Sequence, residues 1–189
     1  MSLVGPISSV VVAGVTVLFY IVSTATNYWV VISSLGSETY YGLWKSCFEN
    51  IHGVRVCATL PDSILKGYVK AARGLMLTAV IVAGIIWIIA LVALIGKGTG
   101  QTQHSLFKYF TRRFWAINGL IFCVTGLLVL TGTSVYAGET NKEYSDVVID
   151  YSFGYSIILG WVSIPVGVIA AAMLTYFFRA MWDDAYDNL

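Results

Sequence analysis

Four long stretches of the chain contain no Asp, Glu, Lys or Arg, and they constrain the fold more than any other feature. A helix needs about 20 apolar residues to cross the hydrocarbon core of a bilayer, and each stretch meets that length. Backbone groups in lipid must be hydrogen-bonded internally, and these stretches lack the alternation of barrel strands, so helices are predicted. The predicted spans are residues 4–26, 74–95, 114–136 and 153–178.

The composition agrees with a membrane protein. Only 11% of the residues are charged, whereas an ordinary soluble domain has about 25%. The net charge of +1 provides no basic field for a nucleic acid partner. A cleaved signal peptide is the alternative for the first stretch, but no Lys or Arg precedes it and the apolar run is too long. We therefore predict one all-α membrane domain over residues 1–189, embedded in the lipid bilayer.

Basic residues do not orient these spans. The segment 96–113 carries four Lys and Arg residues, and the segment 27–73 carries five. Because the positive-inside rule needs a clear excess on one side, it gives no answer here. An even number of spans still places both termini on one side of the membrane.

Two cysteines supply the orientation. Cys47 and Cys57 flank the turn-like residues 49–53, and this spacing suits a disulfide across a hairpin. Two free thiols or half of a metal site are the alternatives, but no second Cys or His pair completes a zinc set. A disulfide persists only in an oxidising compartment. We therefore predict that loops 27–73 and 137–152 are extracellular, and that loop 96–113, the tail 179–189 and the N-terminus are cytosolic.

The first loop also has the composition of β structure. Residues 28–32, 39–44 and 54–57 are rich in β-branched and aromatic side chains, and turn-forming residues separate them. Pro61, Asp62 and Ser63 then predict the start of a helix that leads into the second span, with Asp62 or Ser63 as its cap. The loop is predicted to form a small antiparallel sheet closed by one disulfide.

Seven positions in and after this sheet form a recognisable pattern. They are Trp29, the triplet Gly42-Leu43-Trp44, Cys47, Cys57, and Arg73 at the entrance to the second span. This pattern resembles the signature of the claudin, peripheral myelin protein, epithelial membrane protein and lens fibre membrane intrinsic protein superfamily. The resemblance covers nearly the whole chain. The short gap between Trp29 and Gly42 is more similar to the lens fibre and epithelial membrane branches.

The resemblance implies a left-handed bundle of four helices with an extracellular β-sheet, located at cell–cell contacts of the plasma membrane. It also favours Arg73 as a cap of the sheet that binds backbone carbonyls, the alternative being a side chain that extends to the lipid headgroups. Trp29 is expected in the core of the loop. Trp44 is expected either in that core or at the lipid interface, where aromatic rings prefer to lie.

The spans themselves offer no functional chemistry. They contain no ionisable residue, which argues against a transporter or a pore through the bundle. Gly119 with Gly126, and Gly160 with Gly167, lie two turns apart and are expected to let helices pack closely. No nucleophile motif, phosphate loop or paired-carboxylate cluster appears, so no enzyme, cofactor or metal site is predicted.

Function is therefore expected in the loops. The net charge is +2 for the first loop and −3 for the second, which suits self-recognition between facing cells, an ion-lining role or a solvated rim. The candidate contact or ion-lining residues are Glu49, His52, Arg55, Glu139, Glu143, Asp146 and Asp150.

The leading hypothesis is a tetraspan protein that assembles laterally as a homo-oligomer and adheres through its extracellular loops. Self-contact in trans and contact with other tetraspan or junction proteins are further expectations. The first alternative is a claudin proper, forming a paracellular barrier or ion channel at tight junctions. The second alternative is an auxiliary subunit of a channel or receptor.

Overall fold

The computed structural model describes residues 3–34, 36–98, 112–145 and 150–186. The helices are α1 (Val4–Ala25), α2 (Gly67–Gly98), α3 (Arg112–Tyr144) and α4 (Tyr155–Tyr186); the strands are β1 (Val30–Ser34), β2 (Ser37–Tyr41), β3 (Lys45–Glu49), β4 (Arg55–Thr59) and β5 (Asp150–Phe153). All four helices are long and apolar enough to cross a membrane. Four apolar helices with a small antiparallel sheet confirm the predicted fold class.

The sheet has the strand order β4-β3-β2-β1-β5, and every neighbouring pair is antiparallel. Asn50 organises the turn between β3 and β4, because its Oδ1 accepts hydrogen bonds from the backbone N–H groups of His52 and Val54. Gly53 completes this turn with φ 75°, a left-handed conformation that side chains with a Cβ disfavour. The tight turn keeps β3 and β4 in register as a hairpin.

The chain divides into two compact units. One contains Met1–Leu18, Ala79–Leu127 and Ser163–Leu189, and the other contains Phe19–Thr78 and Leu128–Val162, with the whole sheet. In the first unit, the Trp87 Nε1 donates to the carbonyl of Val10 at 3.0 Å, and the rings of Trp115 and Phe178 lie 4.2 Å apart. Large aromatic side chains thus fill the helical core of this unit.

Two of the predicted glycine positions lie at close helix contacts. A Cβ on Gly119 would lie 1.9 Å from the Thr175 Oγ1 on α4. In the unit that holds the sheet, a Cβ on Gly160 would lie 2.8 Å from the Thr133 Cγ2 on α3. Both glycines therefore bring α3 and α4 together within their own unit, as small residues do between membrane helices.

The predicted helix start at Pro61–Ser63 is wrong. Ile64 N donates to the carbonyl of Pro61 in a local turn, and α2 begins only at Gly67. The physical reason lies in the Asp62 carboxylate, which accepts from the Arg73 Nη1 at 2.6 Å instead of capping a helix. The segment between β4 and α2 is consequently a turn followed by two residues without regular secondary structure.

The predicted loop 137–152 also contains more structure than expected. Helix α3 continues past residue 136 to Tyr144, and β5 pairs with β1 over Asp150–Phe153. The sequence missed the helical extension because its polar residues fall outside the apolar run; a Glu139–Lys142 ion pair one turn apart supports it. Most of the predicted loop 96–113 lies outside the described residues.

Candidate contact site

Five residues form a cluster that we call the sheet root: Trp29, Gly42, Leu43, Trp44 and Arg73. Trp29 is completely buried, its Nε1 donates to the carbonyl of Ser23 at 2.8 Å, and its ring meets Tyr136 of α3 edge-on at 4.8 Å. Leu43 is also completely buried. The root therefore joins the sheet to the adjacent helix ends by buried aromatic and apolar contacts, as expected for Trp29.

Trp44 serves the root as well. Its Nε1 donates to the carbonyl of Thr24 at the end of α1, at 2.9 Å. Its ring lies under the Arg73 guanidinium, 4.8 Å from the carbon Cζ. Because both the nitrogen and the ring face are engaged by the protein, Trp44 belongs with the loop core rather than with a free anchor at the lipid interface.

Arg73 joins the root to the segment that follows β4. The side chain is buried, and its Nε donates to the carbonyl of Leu43 at 2.6 Å. The Nη2 donates to the carbonyl of Leu60 at 3.3 Å, and the Nη1 donates to Asp62. The guanidinium donates to these acceptors from three separate nitrogens in a rigid fork, whereas an ammonium donates from a single nitrogen. Arg73 thus caps the sheet through backbone carbonyls, as the resemblance implied.

Two glycines allow the chain to cross this root. A Cβ on Gly42 would lie 2.5 Å from the Asn27 Cα, and a Cβ on Gly154 would lie 2.0 Å from the carbonyl oxygen of Tyr28. The backbone between α1 and β1 therefore passes so close to both residues that neither position has room for a side chain. The signature includes Gly42, whereas the close approach at Gly154 was missed because strand β5, which ends directly before Gly154, was not predicted.

The β3–β4 hairpin extends away from this root. Cys47 and Cys57 face each other across it and form a disulfide with a Cα–Cα distance of 4.0 Å. Residues on its other face include Phe48 and Val56, which are cross-strand neighbours and are 48% and 64% exposed. Ile51 and Val54 near the turn are exposed too. We call these four side chains the hairpin patch.

A cationic side chain occupies the disulfide face of the hairpin. Arg55 donates through Nε and Nη2 to the Glu49 Oε2, at 3.0 and 2.7 Å, and its guanidinium lies 4.6 Å from the centre of the Tyr40 ring. The Glu49 hydrogen bonds raise the pKa of Arg55. The pKa of Tyr40 is raised to about 12, chiefly because its hydroxyl donates to Glu38. Both pKa shifts keep Arg55 positively charged and Tyr40 neutral at neutral pH.

Several predicted contact residues are engaged within the chain. Glu143 pairs with Lys66 and also accepts from the Tyr68 hydroxyl at 3.2 Å, and Glu139 pairs with Lys142. The two oppositely charged loops therefore contact each other through Lys66 and Glu143. His52 lies exposed in the hairpin turn, and Asp150 lies exposed on β5 opposite Ser33. Asp146 lies outside the described residues.

Sequence reasoning found the sheet root but missed the hairpin patch. The root carries Trp, Gly and Arg in a fixed order, which a pattern can identify. Phe48 and Val56 are eight positions apart in the sequence and form no motif, and only the cross-strand register shows that they are neighbours. Within the residues that the structure describes, no group of three His, Cys, Asp or Glu side chains is placed to hold a metal ion.

Comparison with known proteins agrees with this architecture. Residues 2–174 match the model of the PMP-22/EMP/MP20/Claudin family. The lens fiber membrane intrinsic protein of Rattus norvegicus is 29% identical over 92% of this chain and 87% of its own length. Claudin-1 of Rattus norvegicus is 30% identical over 82% of this chain and 77% of its own length. Claudin-19 of Homo sapiens is 29% identical over 82% of this chain and 72% of its own length.

The chain therefore belongs to the PMP-22/EMP/MP20/Claudin family. As a member of this family it is a tetraspan membrane protein of cell junctions, which confirms the class that the sequence predicted.

Proposed function

We propose that the protein adheres to a second copy on a facing cell through the β3–β4 hairpin, and that copies assemble laterally in the plasma membrane. The observation that carries this proposal is the hairpin patch. Four large apolar side chains stand exposed at the end of the hairpin, and all five residues of β4 are exposed. Clustered apolar groups on an otherwise polar segment mark a contact surface.

A second copy is the partner that fits this surface best. Strand β4 is an edge of the sheet, so one side of its backbone presents N–H and C=O groups that are free to pair with another strand. An identical strand in antiparallel orientation satisfies such an edge, and a two-fold contact places the same patch on both sides. The hairpin therefore favours self-contact over contact with an unrelated surface.

The proposal includes an orientation. Residues 27–73 and 137–152 lie outside the cell, and both termini and residues 96–113 and 179–189 lie in the cytosol. It is supported by the Cys47–Cys57 disulfide, which requires an oxidising compartment. An epitope tag at either terminus should be stained by antibody only after the cells are permeabilised. Staining of a terminal tag on intact cells would contradict the orientation.

A mixed co-culture tests the adhesive role. Cells that express the tagged protein are plated with cells that lack it, and its density is compared at the two kinds of boundary. We expect enrichment only where two expressing cells meet. Equal density over the whole surface would reject self-contact in trans and direct attention to a partner subunit.

A paracellular barrier or ion path is the second candidate. The similarity to claudin-1 and claudin-19 favours it, as do the charged residues on the disulfide face of the hairpin. This candidate predicts that expression in a tight epithelial monolayer changes the transepithelial resistance or the ratio of sodium to chloride permeability. An unchanged resistance with an unchanged ratio would reject it and leave the adhesive role intact.

A further inference from the structure

A cavity of about 260 Å³ lies between strands β1 and β2, the segment before α2, and the end of α3. Four tyrosines line it, namely Tyr41, Tyr68, Tyr136 and Tyr144. Apolar side chains such as Val30, Leu60 and Val69 complete much of the wall. The proposed contact through the hairpin does not use this cavity, so its aromatic lining needs a separate explanation.

Two opposite charges lie together at this cavity. Lys66 and Glu143 form an ion pair and are both lining residues, and the Tyr68 hydroxyl also donates to Glu143. A simple anion or a simple cation would be attracted by one of these charges and repelled by the other. A zwitterion can place its negative group next to Lys66 and its positive group next to Glu143. Charge complementarity therefore favours a ligand that carries one positive and one negative group.

The cavity lies at the polar–apolar boundary of the helices. Tyr136 is the last residue of the charge-free run 114–136, and Val69 stands shortly before the run 74–95. Tyrosine prefers this level in membrane proteins, because its ring is apolar and its hydroxyl is hydrated. A ligand that reaches the cavity from the membrane would therefore present its headgroup.

We propose that this cavity binds the phosphocholine headgroup of a membrane lipid. The phosphate pairs with Lys66, and the quaternary ammonium lies among the tyrosines next to Glu143. Aromatic side chains attract quaternary ammonium groups through the electrostatics of the ring face, and lysine is a common phosphate partner. Pockets for drug-sized ligands measure about 300–1,000 Å³, so this smaller volume suits a headgroup rather than a whole lipid.

Lipid binding can be measured on the purified full-length chain in a maltoside detergent, which has no phosphocholine group. Native mass spectrometry would compare dioctanoyl phosphatidylcholine with the phosphatidylglycerol and phosphatidylethanolamine of the same chain length, and with free phosphocholine. We expect phosphatidylcholine to bind about tenfold more tightly than each of the others, which corresponds to about 1.4 kcal/mol. Equal affinity for the three lipids would overturn the headgroup assignment. Free phosphocholine that binds as tightly as the lipid would overturn the assignment to a lipid.

Matched variants locate the site. Glu143→Gln removes the charge that faces the ammonium and should weaken phosphatidylcholine binding about tenfold or more. Glu139→Gln is the control, since Glu139 pairs with Lys142 on the same helix and does not line the cavity. Lys66→Gln, at an exposed position, gives an independent second test if Glu143→Gln unfolds. Equal binding by Glu143→Gln, Lys66→Gln and Glu139→Gln would place the lipid elsewhere. These outcomes are independent of adhesion, because no facing cell is present.

Discussion

The sheet root and the β3–β4 hairpin support and extend the same sheet, but they differ in burial and in the partners of their side chains. The root is buried, and its side chains are bonded to backbone carbonyls of Ser23, Thr24, Leu43 and Leu60. The hairpin is exposed, and the four apolar side chains of the hairpin patch are not buried in any core. The disulfide, the strand hydrogen bonds, the Asn50 turn and the Arg55–Glu49 ion pair hold the hairpin in shape.

This difference separates what keeps the sheet folded from what the sheet can touch. Every signature residue that is not a cysteine lies in the root, so the signature describes how the sheet is attached to the helices. The residues that we propose for contact with a second copy lie in the hairpin, where the signature includes only Cys47 and Cys57.

The largest loss of stability is expected from Arg73→Ala, which removes the guanidinium from the sheet root. It removes the hydrogen bonds to the Leu43 and Leu60 carbonyls and leaves these acceptors without their donor. Loss of charge-assisted hydrogen bonds at a buried site should lower the free energy of unfolding by about 3 kcal/mol or more. Arg73→Lys should restore little of the lost stability, because an ammonium donates from one nitrogen and lacks the fork that serves separate carbonyls. Thermal unfolding in detergent and surface delivery in cells measure the effect.

Lys70→Ala is the control for this substitution. Lys70 lies one turn earlier on α2 and is exposed, so its removal should change the free energy of unfolding by less than about 0.5 kcal/mol. Normal surface delivery and an unchanged melting temperature for Arg73→Ala would show that Arg73 does not hold the root.

Gly154→Ala should have the next largest effect. The added Cβ would meet the backbone carbonyl of Tyr28 at 2.0 Å, and backbone cannot move aside as a flexible side chain can. Such overpacking should cost about 3 kcal/mol. Gly138→Ala on α3 is the matched control, since a Cβ there meets nothing within 4 Å. The control should be neutral or stabilising by up to about 1 kcal/mol, because alanine favours a helix. Equal melting temperatures for the two variants would refute the close approach.

Replacing Cys47 and Cys57 together by alanine should have an intermediate effect. The disulfide closes a short loop, and its loss should lower the free energy of unfolding by about 2–3 kcal/mol in the chain-entropy model. Since the root remains intact, the unfolding of the hairpin should precede that of the helices, seen as faster hydrogen exchange in β3 and β4. Cys123→Ala is the control, because Cys123 is a free cysteine on α3. A similar exchange rate in both variants would contradict this prediction.

The sequence predicts the parts of this molecule that depend on local composition. Charge-free runs mark the helices, since lipid imposes one requirement on every residue of a span. The order of Trp29, Gly42, Leu43, Trp44 and Arg73 marks the root, and the spacing of Cys47 and Cys57 marks the hairpin. In each case the physical constraint acts on residue type, so it can be seen in the sequence alone.

The parts that the sequence misses depend on pairing between distant segments. Strand β5 is only Asp150–Phe153, and it becomes a strand because β1 offers a free edge. Asp62 is a residue type that favours helix caps, but its carboxylate accepts from Arg73, which lies 11 positions further along the chain. The pairing of Lys66 with Glu143 joins segments far apart in sequence, so the predicted contact residue Glu143 is engaged in an intrachain ion pair.

The double substitution Phe48→Thr with Val56→Thr should have the smallest effect on stability. It is also the sharpest test of the difference between the sheet root and the hairpin. Both side chains are exposed, and threonine keeps a high β propensity, so the free energy of unfolding should change by less than about 0.5 kcal/mol. The hairpin patch nevertheless loses its two central apolar groups. In the mixed co-culture, enrichment at boundaries between expressing cells should disappear while surface delivery stays normal.

Thr59→Val on the other face of β4 controls for a general change in the strand, because Thr59 is cross-strand from Lys45 and outside the patch. It should leave the enrichment unchanged. If the double threonine variant is still enriched, the patch is not the adhesive surface, and the exposed residues of the disulfide face become the next to exchange. If both variants lose enrichment without losing stability, the edge of β4 is sensitive as a whole, and pairing through its backbone outweighs the contribution of the patch.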